Sequence, residues 1–189
     1  MNRLFCFSIV FSVLFLTFQV RASGGCYLQS YVNHSCFRFS GSGVNGLEIG
    51  PCNPKDAYTL QESSKQKGYY FIVMHNLVSK KCVHQLFEIR NWQGIGNITP
   101  SECVEDHDNT LWKIVPDDWG YFFNSGYFYL QAKHSGKCLG INPSTGHGPL
   151  FRNYGLLIQR DCDTSASLWQ FVRPQAPDVP VNSIEACLD

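Results

Sequence analysis

Eight of the nine cysteines could bind a metal ion or form disulfides, and their spacing favours disulfides. The ninth, Cys6, lies in an apolar leader. A structural zinc site would need Cys-x-x-Cys pairs with histidines at matching intervals, but the closest two of the eight cysteines are ten residues apart. An even number of cysteines in a secreted chain is typical of a disulfide scaffold. The eight are Cys26, Cys36, Cys52, Cys82, Cys103, Cys138, Cys162 and Cys187.

The remaining reactive side chains form no catalytic or metal-binding pattern. The sequence contains no G-x-S-x-G and no H-E-x-x-H motif. Asp117 and Asp118 are adjacent, so on an extended chain their carboxylates would point to opposite faces. Five histidines are scattered without the i, i+4 spacing of a helical metal site; they are His75, His84, His107, His134 and His147. We therefore expect no enzymatic activity and no cofactor.

The first 22 residues have the features of a secretory signal peptide. Arg3 precedes an apolar run over 4–20, and Val20 and Ala22 stand at the −3 and −1 positions of a cleavage site before Ser23. The alternative is a signal anchor, because 17 apolar residues approach the length that spans a bilayer. We favour cleavage, which predicts a secreted protein without a membrane span.

Charge and composition exclude some partners. The chain has 15 basic and 15 acidic residues and no basic run, so it lacks the electrostatic pattern of a nucleic-acid-binding protein. A charged fraction of 16% with an aromatic fraction of 14% is typical of a β-rich extracellular domain. The oligomeric state cannot be predicted from the sequence.

The sequence elements that position the cysteines occur three times in the chain. A Tyr or Val stands nine positions before Cys36, Cys82 and Cys138, and each of these cysteines is followed by a second one. An aromatic residue between apolar neighbours then closes each unit, in "AYTLQ", "LWKIV" and "LWQFV". The units cover about 26–61, 69–115 and 127–172, and a period of this length indicates a repeat architecture.

Short β-branched and aromatic runs bounded by turn residues predict strands in each unit. No sustained 3.6-residue periodicity is present. A closed all-β structure with threefold pseudosymmetry follows, and a β-trefoil over 23–175 is the simplest one. The Pro-rich tail, 176–189, is expected to run extended over the surface until Cys187 fixes it.

"SGKCLGI" with a second cysteine and then "LWQF" resembles the ricin-type β-trefoil lectin repeat, whose marks are a G-K-C-L strand and a Q-x-W motif. "SKKCVHQ" with "LWKIV" resembles the same pattern, and "HSCFRF" with "AYTLQ" is a degraded version. The resemblance implies that Trp112 and Trp169 are core residues. It also implies one disulfide pairing, Cys36–Cys52, Cys82–Cys103 and Cys138–Cys162 within units, with Cys26–Cys187 joining the ends.

The family's sugar sites use an Asp two residues after the first cysteine of a unit, a ring that stacks on the sugar, and an Asn or Gln near Q-x-W. The Asp position holds Arg38, His84 and Gly140 in the three units, and the Gln position holds Thr110 and Ser167 in the last two. The resemblance therefore predicts altered sugar sites.

Six residues are candidates for these altered sites. In the second unit the loop residue Trp92 is a possible stacking ring, with His84 and Asn109 as polar partners. In the third unit Tyr154 has that role, with Asn142 and His147. The alternative is that both rings only pack their loops against the barrel.

Two sequons, at Asn33 and Asn97, predict N-glycosylation on exposed backbone. Together these features favour a secreted, non-catalytic, lectin-like protein with glycans or glycoproteins as partners. The alternative is a structural or protein-interaction trefoil of the extracellular matrix that has lost sugar binding.

Overall fold

The structure, a computed structural model, describes residues 25–39, 47–75, 80–85, 98–117, 126–142, 156–174, 176–181 and 184–188. These residues form an all-β fold of thirteen strands with short 3-10 turns and no α-helix. The predicted signal peptide, 1–22, lies outside the described residues. None of the described residues belongs to a helix long and apolar enough to cross a membrane.

Each unit contributes four strands, including the divergent first unit. The first unit has β1 (Tyr27–Ser30), β2 (Cys36–Phe39), β3 (Leu47–Gly50) and β4 (Tyr58–Glu62). The second has β5 (Tyr70–Met74), β6 (Lys81–Gln85), β7 (Ile98–Ser101) and β8 (Trp112–Pro116). The third has β9 (Phe128–Ala132), β10 (Cys138–Asn142), β11 (Leu156–Arg160) and β12 (Leu168–Arg173).

The first and last strands of the units close a six-stranded barrel. Antiparallel pairs run from β1 to β12, β9, β8, β5 and β4 in turn. A bridge between Cys26 and Tyr58 then joins β4 back to β1. The middle strands form three hairpins, β2–β3, β6–β7 and β10–β11, whose second strands contact one another. With three four-stranded units, a closed barrel and three hairpins, the fold is a β-trefoil, as predicted.

The Tyr or Val that recurs nine residues before the first cysteine of each unit is explained by the alternation of side chains along the first barrel strand. Leu28, Met74 and Leu130 are completely buried in the central core. Their preceding neighbours face outward, where Tyr27, Val73 and Tyr129 pack against the cysteines of their own unit. The repeated Tyr or Val therefore lies under a disulfide, since successive strand side chains point to opposite faces.

The four disulfides join Cys26–Cys187, Cys36–Cys52, Cys82–Cys103 and Cys138–Cys162. These are the pairs that the resemblance implied. The first closes a loop of 161 residues and fixes the end of the chain to the start of β1. The other three close loops of 16, 21 and 24 residues, one in each unit.

Trp112 and Trp169 are core residues, as predicted, and neither is accessible to solvent. Trp112 Nε1 donates a hydrogen bond to the carbonyl oxygen of Val83 at 2.9 Å. Trp169 Nε1 donates to the carbonyl oxygen of Leu139 at the same distance. Each indole thereby ties the last strand of its unit to the hairpin, because the acceptor is the residue after the first cysteine.

The tail differs from the prediction. Beyond the extended course that was expected up to Cys187, Ala176–Pro180 forms β13, which pairs with β12. Val181 is buried, and a 3-10 turn at Ile184–Cys187 leads to the disulfide with Cys26. The prolines do not prevent pairing here because β13 lies at the end of the strand order, where a missing N–H is tolerated.

Candidate functional site

The hairpin site of a unit is defined here by three elements. They are the residue two positions after the first cysteine of the hairpin, the strand opposite it, and the 3-10 turn that precedes the closing aromatic residue. The turns are Pro54–Asp56, Asp108–Thr110 and Ser165–Ser167, and each contacts the first strand of its own hairpin. The three hairpin sites are therefore equivalent in backbone but differ in side chains.

In the first unit the hairpin site contains an ion pair. Arg38 lies opposite Glu48 in the β2–β3 register. Its Nε and Nη2 both donate to Oε1 of Glu48, at 2.9 and 2.6 Å, and both side chains are about a quarter exposed. A Cβ at Gly50 would lie 2.7 Å from Arg38 Nε. Glycine at position 50 thus leaves the space that the guanidinium occupies.

In the second unit the hairpin site contains buried polar atoms without partners. Asn109 lies in the 3-10 turn and is buried, and its Oδ1 accepts no hydrogen bond among the described residues. His84, on β6, is half-buried, and its Nδ1 is likewise buried and unpaired. Such atoms are uncommon in proteins because an unmade buried hydrogen bond costs about 1–3 kcal/mol.

The electrostatics of His84 favour the neutral ring. Burial lowers the pKa of His84 from its ordinary value, and the nearby His107 lowers it further. A neutral imidazole offers one donor and one acceptor nitrogen, whereas the protonated ring only donates. His84 can therefore both accept from and donate to the hydroxyl groups of a neutral ligand.

In the third unit an arginine from the opposite strand covers the position of the missing acid. A Cβ at Gly140 would lie 2.4 Å from Cδ of Arg160, which stands opposite Cys138 in the β10–β11 register. Arg160 Nη1 donates to the carbonyl oxygen of Ile141 at 3.0 Å. Its Nε is buried and has no partner in the part of the chain that the structure describes.

The structure brings together two of the six predicted ligand-binding residues, since His84 and Asn109 both belong to the hairpin site of the second unit. Asn142 is the last residue of β10, and its backbone pairs with Leu156. Trp92, Tyr154 and His147 lie outside the described residues. Their roles stay predictions.

Of the two glycosylation sequons, one lies within the described residues and the other lies outside them. Asn33 is exposed in the turn between β1 and β2, and its Oδ1 accepts a hydrogen bond from the backbone N–H of Ser35 at 3.1 Å. Asn97 lies outside the described residues.

Arg160 and Gln85 were missed by the sequence analysis. Arg160 enters its hairpin site from the second strand, whereas the family pattern concerns the first. Gln85 ends β6 and is almost completely buried, with both amide atoms unpaired among the described residues. The sequence signal for Arg160 was Gly140, the small residue over which it lies.

Charged and polar side chains also form contacts between neighbouring units. In the described ranges no three His, Cys, Asp or Glu side chains group closely enough to hold a metal ion. Glu105 accepts hydrogen bonds from Ser63 and Ser64, and Lys133 pairs with Asp108 at 2.6 Å. The Glu105 contacts join the segment between β4 and β5 to the second unit, and the Lys133–Asp108 pair joins the third unit to the second.

The fold and these three sites define a β-trefoil protein with divergent hairpin sites. No protein-family model matches the sequence, and no curated protein matches it. Among solved structures it is similar to the designed threefold-symmetric protein ThreeFoil, at 18% identity and a TM-score of 0.55, over 78% of this chain and 96% of that one.

Two further structures show the range of proteins that share the fold. SeviL bound to the saccharide of asialo-GM1 is 19% identical with a TM-score of 0.55, over 79% of this chain and 96% of that one. An exo-β-1,3-galactanase from Clostridium thermocellum is 16% identical with a TM-score of 0.59, over 79% of this chain but only 30% of the enzyme. At these identities the likeness establishes the fold alone.

Proposed function

We propose that this is a secreted, non-catalytic, lectin-like protein that binds glycans or glycoproteins through altered sugar sites. The observation that carries the proposal is the pair of buried, unpaired atoms in the second hairpin site, His84 Nδ1 and Asn109 Oδ1. Both atoms are closed to solvent in this structure, so a ligand with hydroxyl groups would satisfy them once the site opens to admit it, and would then remove the cost of leaving them unpaired.

Recognition in the second unit would combine polar and apolar contacts. Hydroxyl groups would hydrogen-bond to His84 and Asn109, while Trp92 would stack on the C–H face of the ring, as aromatic side chains do in apolar contact with sugars. In the third unit Tyr154 would stack, with Asn142 and His147 as polar partners. No metal or cofactor takes part in this recognition.

Secretion is proposed from the leader and from the disulfides. The first 22 residues have the pattern of a signal peptide, and all eight cysteines beyond it are paired. Disulfides persist in oxidising compartments and are rare in the cytosol. N-glycosylation at Asn33 and Asn97 belongs to the same proposal.

The alternative function, a structural or protein-interaction trefoil of the extracellular matrix, is favoured by the first unit. There the Arg38–Glu48 ion pair occupies the hairpin site, so both side chains already satisfy each other. A chain in which every unit had changed in this way would have kept the fold and lost sugar binding.

Binding of the purified secreted protein to a broad glycan array tests the proposal. The variants are Trp92→Ala and the double variant His84→Ala/Asn109→Ala. Lys113→Ala, an exposed position on β8 of the same unit, is the matched control. We expect selective binding by the wild type and the control, and its loss in both site variants. A blank array for folded wild-type protein would leave the matrix alternative.

A further inference from the structure

The first and third hairpin sites each hold an arginine, but only one is neutralised. Arg38 comes from the first strand of its hairpin and lies over Gly50 on the second. Arg160 comes from the second strand and lies over Gly140 on the first. The two side chains therefore cross equivalent hairpins in opposite directions and reach the same region of their units.

The difference is in the residue that faces the guanidinium. In the first unit the residue opposite Arg38 is Glu48, which accepts two hydrogen bonds from it. In the third unit the equivalent residue, opposite Gly140, is Ile158, which is buried and apolar. The carboxylate that balances the first arginine is thus replaced by a hydrocarbon side chain in the third unit.

Among the described residues Arg160 makes no hydrogen bond or close ion pair with a carboxylate, and its charge is felt only by Asp161, whose pKa it helps to lower after the larger effect of Lys137. Its one hydrogen bond is to the backbone carbonyl of Ile141, and its Nε is buried without a partner. The neighbouring carboxylate, Asp161, is engaged by Lys137 at 2.5 Å. Because Nε is buried and Nη1 is bonded to Ile141, Nη2 is the group left to donate to an anion such as a carboxylate or a sulfate.

We propose that the hairpin site of the third unit binds an acidic sugar, with its carboxylate or sulfate group paired to Arg160. Ser167 does not contact the ligand: it is completely buried and its Oγ donates to the carbonyl oxygen of Asp161 at 3.0 Å. This inference rests on the proposed carbohydrate binding and gives it a ligand class. Gly140 is required because a larger residue would displace the arginine stem.

The test compares the affinities of matched glycan pairs. Titration calorimetry would use a sulfated oligosaccharide with its desulfated counterpart, and a carboxylated oligosaccharide with its neutral counterpart. We expect the wild type to bind one acidic member at least about tenfold more tightly than its neutral counterpart, as a hydrogen bond to a charged group implies. The pair that shows the preference identifies the acidic group as a sulfate or a carboxylate. The preference should weaken with added salt.

Three variants locate the effect. Arg160→Gln removes the charge, and Ile158→Glu recreates at the third site the carboxylate that neutralises Arg38 in the first. Both should lower the acidic affinity to that of the neutral counterpart. Arg38→Gln, the matched change in the first unit, should leave the preference unchanged. Because Ile158 is buried, unfolding curves must show that Ile158→Glu folds, and Arg160→Gln decides the matter if it does not.

The outcomes separate this inference from the proposed function. Equal affinity for acidic and neutral members, or a preference retained in Arg160→Gln, would overturn the acidic-sugar inference while carbohydrate binding stands. Absence of binding to either member of both pairs, together with a blank glycan array, would overturn both.

Discussion

The phenolic hydroxyl of Tyr58 donates a hydrogen bond to the carbonyl oxygen of Phe37 at 3.1 Å, in a fully buried position. This contact is the first unit's version of the bonds that Trp112 and Trp169 make to Val83 and Leu139. A tyrosine thus replaces the tryptophan of the other units and keeps the link between hairpin and barrel. The first unit forms all four strands although its motif is degraded.

Tyr58→Phe should destabilise the protein by about 1–2 kcal/mol. The substitution removes one oxygen and leaves the Phe37 carbonyl without this donor, while the ring still fills its space. The free energy of unfolding, measured by guanidinium denaturation with the disulfides intact, checks the value. Tyr69→Phe, at a partly exposed ring just before β5, is the control for loss of a hydroxyl. Equal effects of the two changes would contradict the special role of Tyr58.

His34→Gly should stabilise the protein by up to about 1 kcal/mol. His34 has a φ of 53°, and the equivalent residue of the third unit is Gly136 with a φ of 67°. The left-handed region costs a residue with a Cβ roughly 1–2 kcal/mol, which is partly offset by the greater entropy of glycine in the unfolded chain.

The reciprocal change, Gly136→Ala, should destabilise the protein by a similar amount. Both turns accept a side-chain hydrogen bond at this residue, from Gln29 to His34 and from Gln131 to Gly136. Thermal unfolding of both variants gives the comparison. A decrease in stability for His34→Gly would mean that the imidazole makes a contact worth more than the backbone strain.

Gln85→Leu should stabilise the protein by about 1–3 kcal/mol. The side chain is 1% exposed, and neither amide atom has a partner among the described residues. The equivalent positions hold Phe39 and Ile141, which pack in or against the central core. An apolar side chain of similar volume would remove the desolvation cost of the amide.

Denaturant unfolding of Gln85→Leu and of the near-isosteric Gln85→Met distinguishes polarity from shape. Both should be more stable than the wild type. If both were less stable, the amide would have to be satisfied, by a buried water for instance.

The stability of the protein should decrease as the pH falls below about 6.5, in part because of His84. Burial and the nearby His107 lower the pKa of His84 in the folded state from its ordinary value of 6.5. Between the folded and unfolded pKa values the unfolded state binds the proton and the folded state does not. Unfolding therefore becomes more favourable with falling pH.

The free energy of unfolding of the wild type and of His84→Gln, measured between pH 5 and 8, tests the sign. The variant should show a shallower decrease at acidic pH. His134→Gln, at an exposed histidine, controls for loss of an imidazole. An unchanged slope in His84→Gln would assign the acid sensitivity to other groups.

The features that could be predicted from the sequence are those that recur in every unit. The cysteines of the three units recur in register, and Trp112 and Trp169 recur at the closing strand, so the fold could be predicted by comparing units within one chain, while the disulfide pairing was implied by the family resemblance. The strand formed by Ala176–Pro180 could not be predicted in this way, because it occurs once and its prolines are typical of a loop.

Only part of the hairpin sites could be predicted from the sequence, and the reason is geometric. His84 and Asn109 could be named as candidates from the sequence because both stand close to the repeated motif, and their role in binding stays a prediction. Arg160 was not, because its side chain crosses diagonally to Gly140. That approach depends on the β10–β11 register, which in a hairpin is fixed by the turn type together with the loop length, and the sequence between these strands does not reveal a turn type. The burial of Gln85 was missed because a polar strand residue is usually on the exposed face.

The opposite origins of Arg38 and Arg160 bear on the history of the chain. A residue inherited with a duplicated unit would stand on the same strand in every copy. Arg38 stands on the first strand of its hairpin, and Arg160 stands on the second. In the other hairpin a glycine occupies the equivalent position, Gly140 for Arg38 and Gly50 for Arg160. The two arginines are therefore not counterparts in the repeat, and one region of two units is reached by a cation from non-equivalent positions.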